Sequence, residues 1–201
     1  MVLDAAFYQR PDVLQIAREL LGKYVFTQLD GQLTGGRIVE TEAYRHSGDE
    51  ALELHLRRKA NQARGLYRPG GHAYLYAVYG QHTLFNLTTN TADRPDAVLI
   101  RAIEPTDGID IMLQRRGLPT VARNLTAGPG LLTQALGLSP ALTGLGLQMP
   151  PLWLEDRGEP VLAPQIKATP RIGLAYAGAE ASQLPWRFRI ADSRWTSPAA
   201  K

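Results

Sequence analysis

Two glutamates stand two positions apart in the segment 37–44, which reads Arg-Ile-Val-Glu-Thr-Glu-Ala-Tyr. If this segment is a strand, its period of two puts Glu40 and Glu42 on one face with Ile38 and Tyr44, and separates the two glutamates by about 7 Å. Glutamate is depleted in strands, so such a pair indicates either a solvated face of the sheet or a chemical role. The chemical role is general-base catalysis, in which one carboxylate activates a water molecule against a glycosidic-type bond.

A cluster of tyrosines forms the second candidate site. Four of the eight tyrosines fall in residues 67–79, inside the window 54–92, which contains no acidic residue. On a strand Tyr74 and Tyr76 share a face, and Tyr79 points the other way beside a turn. Tyrosines interleaved with cations suit nucleic acid, because rings stack on bases and cations hold phosphates. Ordinary aromatic packing on a strand is the alternative.

Several other chemistries find no support in the sequence. The chain has no cysteine, which excludes disulfides, cysteine-based zinc sites and a cysteine nucleophile. The four histidines match no metal-ligand spacing, and no glycine-rich phosphate loop follows a predicted strand. We therefore expect no metal and no cofactor. The Gly-Pro-Gly segment 128–130 either presents N–H groups to a phosphate or is simply a turn.

The elements that position these residues must be short, because 19 glycines and 14 prolines in 201 residues imply many turns. Helices are predicted at 11–22, 107–116 and 128–136. Strands are predicted at 23–29, 37–44, 71–79, 83–89, 97–103, 152–154, 171–174 and 186–190. The fold class is therefore α+β, with a largely antiparallel sheet. We expect one domain over residues 1–201, with an ordered core at 7–197 and a frayed tail at 198–201.

The charge distribution allows a nucleic-acid partner without requiring one. The formal net charge is +3, and 18 of the 22 cations are arginine, whose planar guanidinium matches phosphate oxygens. The predicted phosphate contacts are Arg57, Arg58, Arg64, Arg68, Gly128 and Gly130. The N-terminal segment has no signal-peptide pattern, and no run approaches the roughly 18 apolar residues of a membrane helix. We therefore expect a cytoplasmic protein, in the bacterial cytosol or nucleoid, that does not bind membranes.

Five motifs together resemble one known family. They are the segments 37–44, 71–80 (Gly-His-Ala-Tyr-Leu-Tyr-Ala-Val-Tyr-Gly), 97–105 (Ala-Val-Leu-Ile-Arg-Ala-Ile-Glu-Pro), 128–136 and 185–188 (Pro-Trp-Arg-Phe). In this order they closely resemble the alkyladenine (3-methyladenine) DNA glycosylases of the mammalian type, from about Phe7 to Ser197. The resemblance implies a curved sheet with a protruding hairpin, a monomer, and duplex DNA containing a damaged purine as the partner.

The resemblance also implies the reaction. Such enzymes are monofunctional: they flip a damaged purine out of the duplex and hydrolyse its N-glycosidic bond with water, which initiates base excision repair. The implied bases are 3-methyladenine and 7-methylguanine, with hypoxanthine and ethenoadenine as further candidates. By the family motif, Glu42 is the general base for the water. Arg101 and the backbone carbonyl of Ile172 help to hold that water.

The base pocket is implied by the same motifs. Tyr44 and Tyr76 would sandwich the flipped base, and Tyr79 would enter the minor groove and fill the vacated stack. Asn86 and Leu99 would line the floor of the pocket and clash with the 2-amino group of undamaged guanine.

The sequence departs from the family pattern at two places. Glu53 stands at the spacing where the family has a histidine, and His55 follows two residues later, so both are candidates for the wall of the base pocket. Leu131 replaces the lysine that usually follows the Gly-Pro-Gly turn. Two other functions stay open: a damage-binding module without catalysis, and a hydrolase of free nucleosides whose activity would not depend on salt.

Overall fold

The computed structural model describes residues 1–78, 80 and 82–197. The helices in this part of the chain are α1 (Ala5–Tyr8), α2 (Val13–Glu19), α3 (Glu50–Arg58), α4 (Ala60–Ala63), α5 (Ile109–Arg116), α6 (Pro129–Leu136) and α7 (Gly178–Gln183). The strands are β1 (Tyr24–Leu29), β2 (Gln32–Tyr44), β3 (Ala73–Val78), β4 (His82–Thr89), β5 (Asp96–Asp107), β6 (Gln148–Met149), β7 (Leu152–Glu155), β8 (Ile166–Thr169) and β9 (Arg187–Ile190). Short 3-10 helices lie at Arg64–Tyr67, Arg123–Leu125, Pro140–Leu142 and Ala163–Gln165.

One curved antiparallel sheet organises the molecule and confirms the predicted α+β class. The strand order is β3-β4-β5-β2-β1-β7-β6, and β9 pairs with both β2 and β8. The long strand β2 lies at the centre: it pairs with β5 along most of its length, with β1 through its first half and with β9 at residues 40–42. The candidate chemical segment 37–44 is the second half of this strand.

Apolar side chains from the sheet and the helices form the main core. Helix α2 begins where the Asp12 carboxylate accepts the N–H groups of Leu14 and Gln15, each at 3.0 Å. The helix then buries Ile16 against the sheet, and α6 buries Leu136 in the same cluster. The core therefore fixes the strands that carry the candidate site. No described helix has the length and apolarity required to cross a membrane.

Strand β2 begins at Gln32, five residues before the predicted start at residue 37, and two other strand predictions are wrong beyond small differences in bounds. The prediction that a strand ends at Glu104-Pro105 is wrong: β5 continues to Asp107, because a register shift between Gly35 and Gly36 accommodates Pro105 in an irregular part of the ladder. The predicted strand 171–174 is also wrong. That segment is irregular, and the strand of this region is β8, which ends just before Pro170.

The helices differ from the prediction mainly in extent. Helix α2 covers only part of the predicted span 11–22, because Asp12 rather than Pro11 provides its start. Helix α5 begins after Gly108, which adopts a left-handed conformation. Helices α3 and α4, within residues 50–63, are not among the predicted helices.

Candidate active site

The Glu42 carboxylate is fully buried and accepts hydrogen bonds on both oxygens. Its Oε1 accepts the backbone N–H of Ile172 at 2.8 Å and lies 3.3 Å from Nη1 of Arg101. Its Oε2 accepts the hydroxyl of Tyr44 at 2.8 Å. Glu40 is also fully buried. The alternative that the two glutamates occupy a solvated sheet face is therefore wrong.

A pair of register shifts brings Arg101 to this carboxylate. Between β2 and β5, Glu40 pairs with Ala102 and Thr41 pairs with Ile100, so Arg101 is an extra residue without a ladder partner. Such a bulge redirects a side chain. The Arg101 guanidinium reaches both glutamates, since its Nε donates to Oε1 of Glu40 at 3.1 Å.

The bulge also changes the predicted alternation of β2. Strict alternation places Ile38 on the same face as the glutamates, but Ile38 and Val39 both belong to the main apolar cluster. The register shift between Ile38 and Glu40 explains this difference. From Glu40 onward, the two glutamates and Tyr44 face the site as predicted.

The neighbouring carboxylates determine the protonation states of Arg101 and Tyr44. Burial lowers the pKa of Arg101, but the charges of Glu42 and Glu40 outweigh it, so the pKa lies above its ordinary value. Burial and the charge of Glu42 hold the pKa of the Tyr44 hydroxyl well above its usual range. Arg101 therefore stays a cation, and Tyr44 stays a hydrogen-bond donor to Glu42.

A second buried ion pair supports Tyr44 from behind. The guanidinium of Arg171 lies 4.6 Å from the centre of the Tyr44 ring and 5.1 Å from that of Trp186. Its two terminal nitrogens donate to the two oxygens of Asp49, at 2.7 and 2.6 Å. Because Arg171 precedes Ile172 in the chain, this ion pair also fixes the segment whose N–H group binds Glu42.

A cleft of about 390 Å³ opens in front of these residues. Its walls include three residues that contact Glu42, namely Tyr44, Arg101 and Ile172, although Glu42 itself does not line the cleft. Leu99 lies in the same wall, and its backbone pairs with both Glu42 and Asn86 in the sheet. The Glu42 carboxylate therefore lies directly behind the wall of a cleft that is large enough to hold a small-molecule substrate.

A small recess continues from the cleft and is lined by aromatic rings. Its volume is about 40 Å³, and its walls include Tyr44, Tyr76, His55 and Asn86. The ring of His55 lies 4.9 Å from that of Tyr76. The structure therefore brings Tyr44, Tyr76, Asn86, Leu99 and His55 together around the cleft and its recess.

Glu53 does not reach the recess. Its Oε1 accepts the N–H of Gly48 at 3.1 Å, at the start of α3. His55, two residues later on the helix, instead points at the rings, and its Nε2 lies 2.7 Å from the hydroxyl of Tyr74. Burial, with the charge of Lys59, lowers the pKa of His55. The structure thus places His55, and not Glu53, against the aromatic rings.

The predicted phosphate contacts lie at three places: in the cavity beside Tyr76, in the main cleft, and outside both. Arg58 lines a cavity of about 350 Å³ beside Tyr76, together with Lys59, whereas Arg57, Arg64 and Arg68 lie outside it. Gly128 and Gly130 line the main cleft, where α6 begins, and Leu131 lies beside them. Tyr79, the predicted wedge, lies outside the described residues.

Tyr176, which lines all three cavities, is not among the predicted site residues. Tyr176 lies in the segment 170–177 between β8 and α7, and 52% of its surface is exposed. Its only signal in the sequence is its position four residues after Ile172, which was predicted to lie in the site. Among the described residues, no cluster of three or more His, Asp or Glu side chains is arranged to hold a metal ion.

Comparison with known proteins agrees with this geometry. The family described as "Methylpurine-DNA glycosylase (MPG)" matches residues 6–194. The chain is 43% identical over 190 residues to a protein of Chlamydia felis, covering 94% of this chain and 96% of the relative. It is 44% identical over 192 residues to a protein of Chlorobaculum parvum, covering 95% and 88%, and 41% identical over 199 residues to one of Methanoculleus marisnigri, covering 98% and 99%.

All three relatives carry the name "Putative 3-methyladenine DNA glycosylase". The match spans the segments that hold Glu42, Arg101 and Ile172, as well as the tyrosines of the cleft. It confirms the resemblance found in the sequence. The chain therefore belongs to the methylpurine-DNA glycosylase family and is a DNA glycosylase, a hydrolase of N-glycosyl bonds.

Proposed function

We propose that the protein is a monofunctional enzyme that removes 3-methyladenine, and with it 7-methylguanine, from duplex DNA. The observation that carries this proposal is the buried Glu42 carboxylate, held by Arg101, Ile172 and Tyr44 at the wall of a tyrosine-lined cleft. A carboxylate beside a site for a stacked base is what hydrolysis of an N-glycosidic bond requires.

The damaged base would be bound by stacking. We assign Tyr44 and Tyr76 to its two faces, because both rings line the cleft and the recess. A methylated purine such as 3-methyladenine is cationic, and it is therefore attracted to the electron-rich face of a tyrosine. Tyr176 supplies a third ring at the mouth. Asn86 and Leu99 would form the floor and clash with the 2-amino group of undamaged guanine. 7-Methylguanine carries the same group, but its cationic ring stacks more strongly on the tyrosines and is a better leaving group, which would offset the clash.

The hydrolytic step follows from the position of Glu42. The bond between the sugar C1′ and the base nitrogen breaks, and the base leaves with the electron pair. Water adds to C1′ while Glu42 takes its proton, which leaves an abasic site. The negative charge of Glu42 also stabilises the oxocarbenium-like sugar that forms as the base departs. Arg101 and the backbone of Ile172 orient the carboxylate and the water; the contact that the structure describes for Ile172 is that of its N–H group.

The rest of the DNA would be held around the cleft. Arg58 and Lys59 border the cavity beside Tyr76, and Arg57, Arg64 and Arg68 extend the basic surface. The N–H groups near Gly128 and Gly130 are further phosphate contacts in this proposal. Tyr79 would fill the space that the flipped base leaves. We propose that the protein acts as a monomer and a single domain.

The test compares Glu42→Gln with wild type under single-turnover conditions. The substrate is a duplex methylated with tritiated dimethyl sulfate, and the released bases are separated by chromatography. Loss of the general base should lower the rate of release by at least about 100-fold, while binding of the methylated duplex survives. Glu180→Gln, which changes an exposed carboxylate on α7, is the matched control and should cut at the wild-type rate.

Three results would contradict the proposal. Release by Glu42→Gln at the wild-type rate would place the general base elsewhere. No release by wild type, with binding of methylated DNA intact, would indicate a damage-binding module. Equal release of 7-methylguanine from a free nucleoside, at any salt concentration, would indicate a nucleoside hydrolase. A second duplex with one hypoxanthine shows whether the substrate range extends to neutral bases.

A further inference from the structure

Glu40 is a buried carboxylate that the proposed reaction does not use. It is fully buried and accepts four hydrogen bonds. Its Oε1 accepts Nε of Arg101 at 3.1 Å, Nη1 of Arg187 at 3.0 Å and the hydroxyl of Ser197 at 2.7 Å. Its Oε2 accepts the backbone N–H of Ser197 at 2.5 Å. Such saturation leaves Glu40 no room to activate water.

Glu40 and Glu42 form a compact cluster with two arginines. Arg101 contacts both carboxylates, and Arg187 contacts Glu40. The four formal charges cancel, and each of the four residues is at most 6% exposed. A buried charge without a partner is strongly unfavourable, so removing any member changes the electrostatic balance felt by the others.

The end of the described chain closes over this cluster. Ser197 contributes two of the four donors to Glu40, and the carbonyl of Thr196 accepts Nε of Arg123 at 2.9 Å. Trp195, just before them, is buried in the main core. The contacts of Trp195 and Thr196 therefore anchor the segment whose next residue, Ser197, binds Glu40.

We infer that Glu40 is a positioning residue of the reaction: it holds the Arg101 guanidinium between two carboxylates and so limits how strongly Arg101 binds Glu42. This inference rests on the proposed function of Glu42. If Arg101 had Glu42 as its only partner, a tight ion pair would stabilise the carboxylate and weaken it as a proton acceptor. Sharing Arg101 with Glu40 keeps the guanidinium in place and divides its charge between two carboxylates.

The experiment measures the dependence of the single-turnover rate on pH for Glu40→Gln, using the methylated duplex. The substitution keeps the shape of the side chain, and Glu42 becomes the one negative member of the cluster. The acidic limb of the profile should therefore move to lower pH, by about one unit, and the plateau rate should fall about tenfold. Among the described residues, Tyr44, Tyr76, Arg101 and Arg171 interact with Glu42 directly, and Glu40 and Arg187 belong to the same charge cluster through Arg101.

Arg187→Gln provides a test with the opposite sign. It removes a cation whose described side-chain contacts are with Glu40 and Thr169, and it leaves the side chains of Arg101 and Glu42 unchanged, so the acidic limb should move to higher pH. If Glu40→Gln does not fold, Arg187→Gln decides the question alone. Ser197→Ala is the control for packing, because it removes one donor to Glu40 without changing any charge. It should lower the melting temperature and leave the acidic limb in place.

The outcomes separate this inference from the proposed function. Absence of methylpurine release by wild type would overturn both. Release by wild type, with acidic limbs that coincide in wild type and in whichever charge variants fold, would overturn the inference alone. In that case Glu40 would only stabilise the fold. Shifts in opposite directions for the two variants would establish Glu40 as a positioning residue.

Discussion

The two sides of the site are built in different ways. The strand wall consists of Arg101 on β5, which lines the cleft, and Glu42 on β2, which lies directly behind it; they are 6% and 0% exposed, and Nη1 of Arg101 lies 3.3 Å from Oε1 of Glu42. The outer wall consists of His55, Arg58 and Tyr176, on α3 and the segment 170–177. Tyr176 lines the cleft, His55 lines the recess, and all three line the cavity beside Tyr76. Arg58 is exposed, and Tyr176 is half exposed.

This difference separates two requirements of the reaction. Stabilising charge in a transition state requires groups that are fixed before the substrate arrives, and buried strands with ion pairs provide them. Seating a flipped base between Tyr44 and Tyr76 requires side chains that can move, because the recess of about 40 Å³ beside these rings has room for only a few water molecules. The outer wall, with fewer buried contacts, is the part suited to that movement.

The largest predicted effect comes from removing the ion pair between Asp49 and Arg171, which connects the outer wall to strand β2. The Asp49 carboxylate caps α3 through the N–H of Ala51 and binds Arg171, whose guanidinium also donates to the carbonyl of Ala43 on β2. Asp49→Asn should lower the free energy of unfolding by about 3–5 kcal/mol, because it leaves the buried Arg171 without a counter-charge. Urea denaturation measures this change.

Asp12→Asn is the matched control for that prediction. Asp12 also caps a helix, α2, but it is exposed, and asparagine caps a helix about as well as aspartate. The control should therefore change the free energy of unfolding by less than about 0.5 kcal/mol. Equal losses in the two variants would mean that Asp49 acts only as a helix cap, and that the Arg171 contact does not join the walls.

The strand wall was also the more predictable side. Alternation along 37–44 placed Glu40, Glu42 and Tyr44 on one face, because a strand imposes its period on every residue. The alternation placed Ile38 on the wrong face, because a bulge interrupts the strand at one point and a periodic pattern does not predict where. It also left open whether the glutamates were solvated. The burial of Glu40 depends on Arg187 and Ser197, and that of Glu42 on the segment of Ile172, all of which are distant in the sequence.

The outer wall was less predictable because it depends on elements without a strong pattern. Spacing alone could not choose between Glu53 and His55; the choice follows from α3, whose turn directs His55 towards Tyr74. The segment 171–174 looked like a strand, and Tyr176 beyond it carried no signal of its own. Loop conformation is set by tertiary contacts such as that of Arg171 with Asp49, which a sequence does not display.

A smaller effect is expected from Tyr176, and it tests whether the outer wall binds the base. Tyr176→Ala should raise the enzyme concentration that gives half-maximal single-turnover release by about tenfold, because one stacked ring contributes about 1–3 kcal/mol. The rate at saturating enzyme should change less, since Glu42 and Arg101 stay in place. Tyr67→Ala is the control: Tyr67 is 51% exposed and lies outside the three cavities. Equal behaviour of the two variants would remove Tyr176 from the base site.

The smallest effect concerns the pH dependence of stability and His55. Burial, with the charge of Lys59, lowers the pKa of His55 below its ordinary value of 6.5. In the pH range between the lowered pKa and 6.5, the unfolded chain binds more protons than the folded one, so the free energy of unfolding rises with pH. Above this range the two states bind equally and the contribution is constant. His55→Gln should therefore lose less stability than wild type when the pH is lowered from about 7.5 to about 5.

Lys59→Gln separates the two causes of the lowered pKa and shows how far the exposed charges of the outer wall reach. Removing the ammonium should move the pKa of His55 back towards its ordinary value, which an NMR titration of the ring protons measures directly. The loss of stability at low pH should shrink in parallel, because the gap between the folded and unfolded states narrows. An unchanged titration would mean that burial alone sets the pKa of His55. The charges of the exposed basic surface would then have no electrostatic effect on the recess. In that respect the outer wall would resemble the strand wall, although its side chains are more exposed.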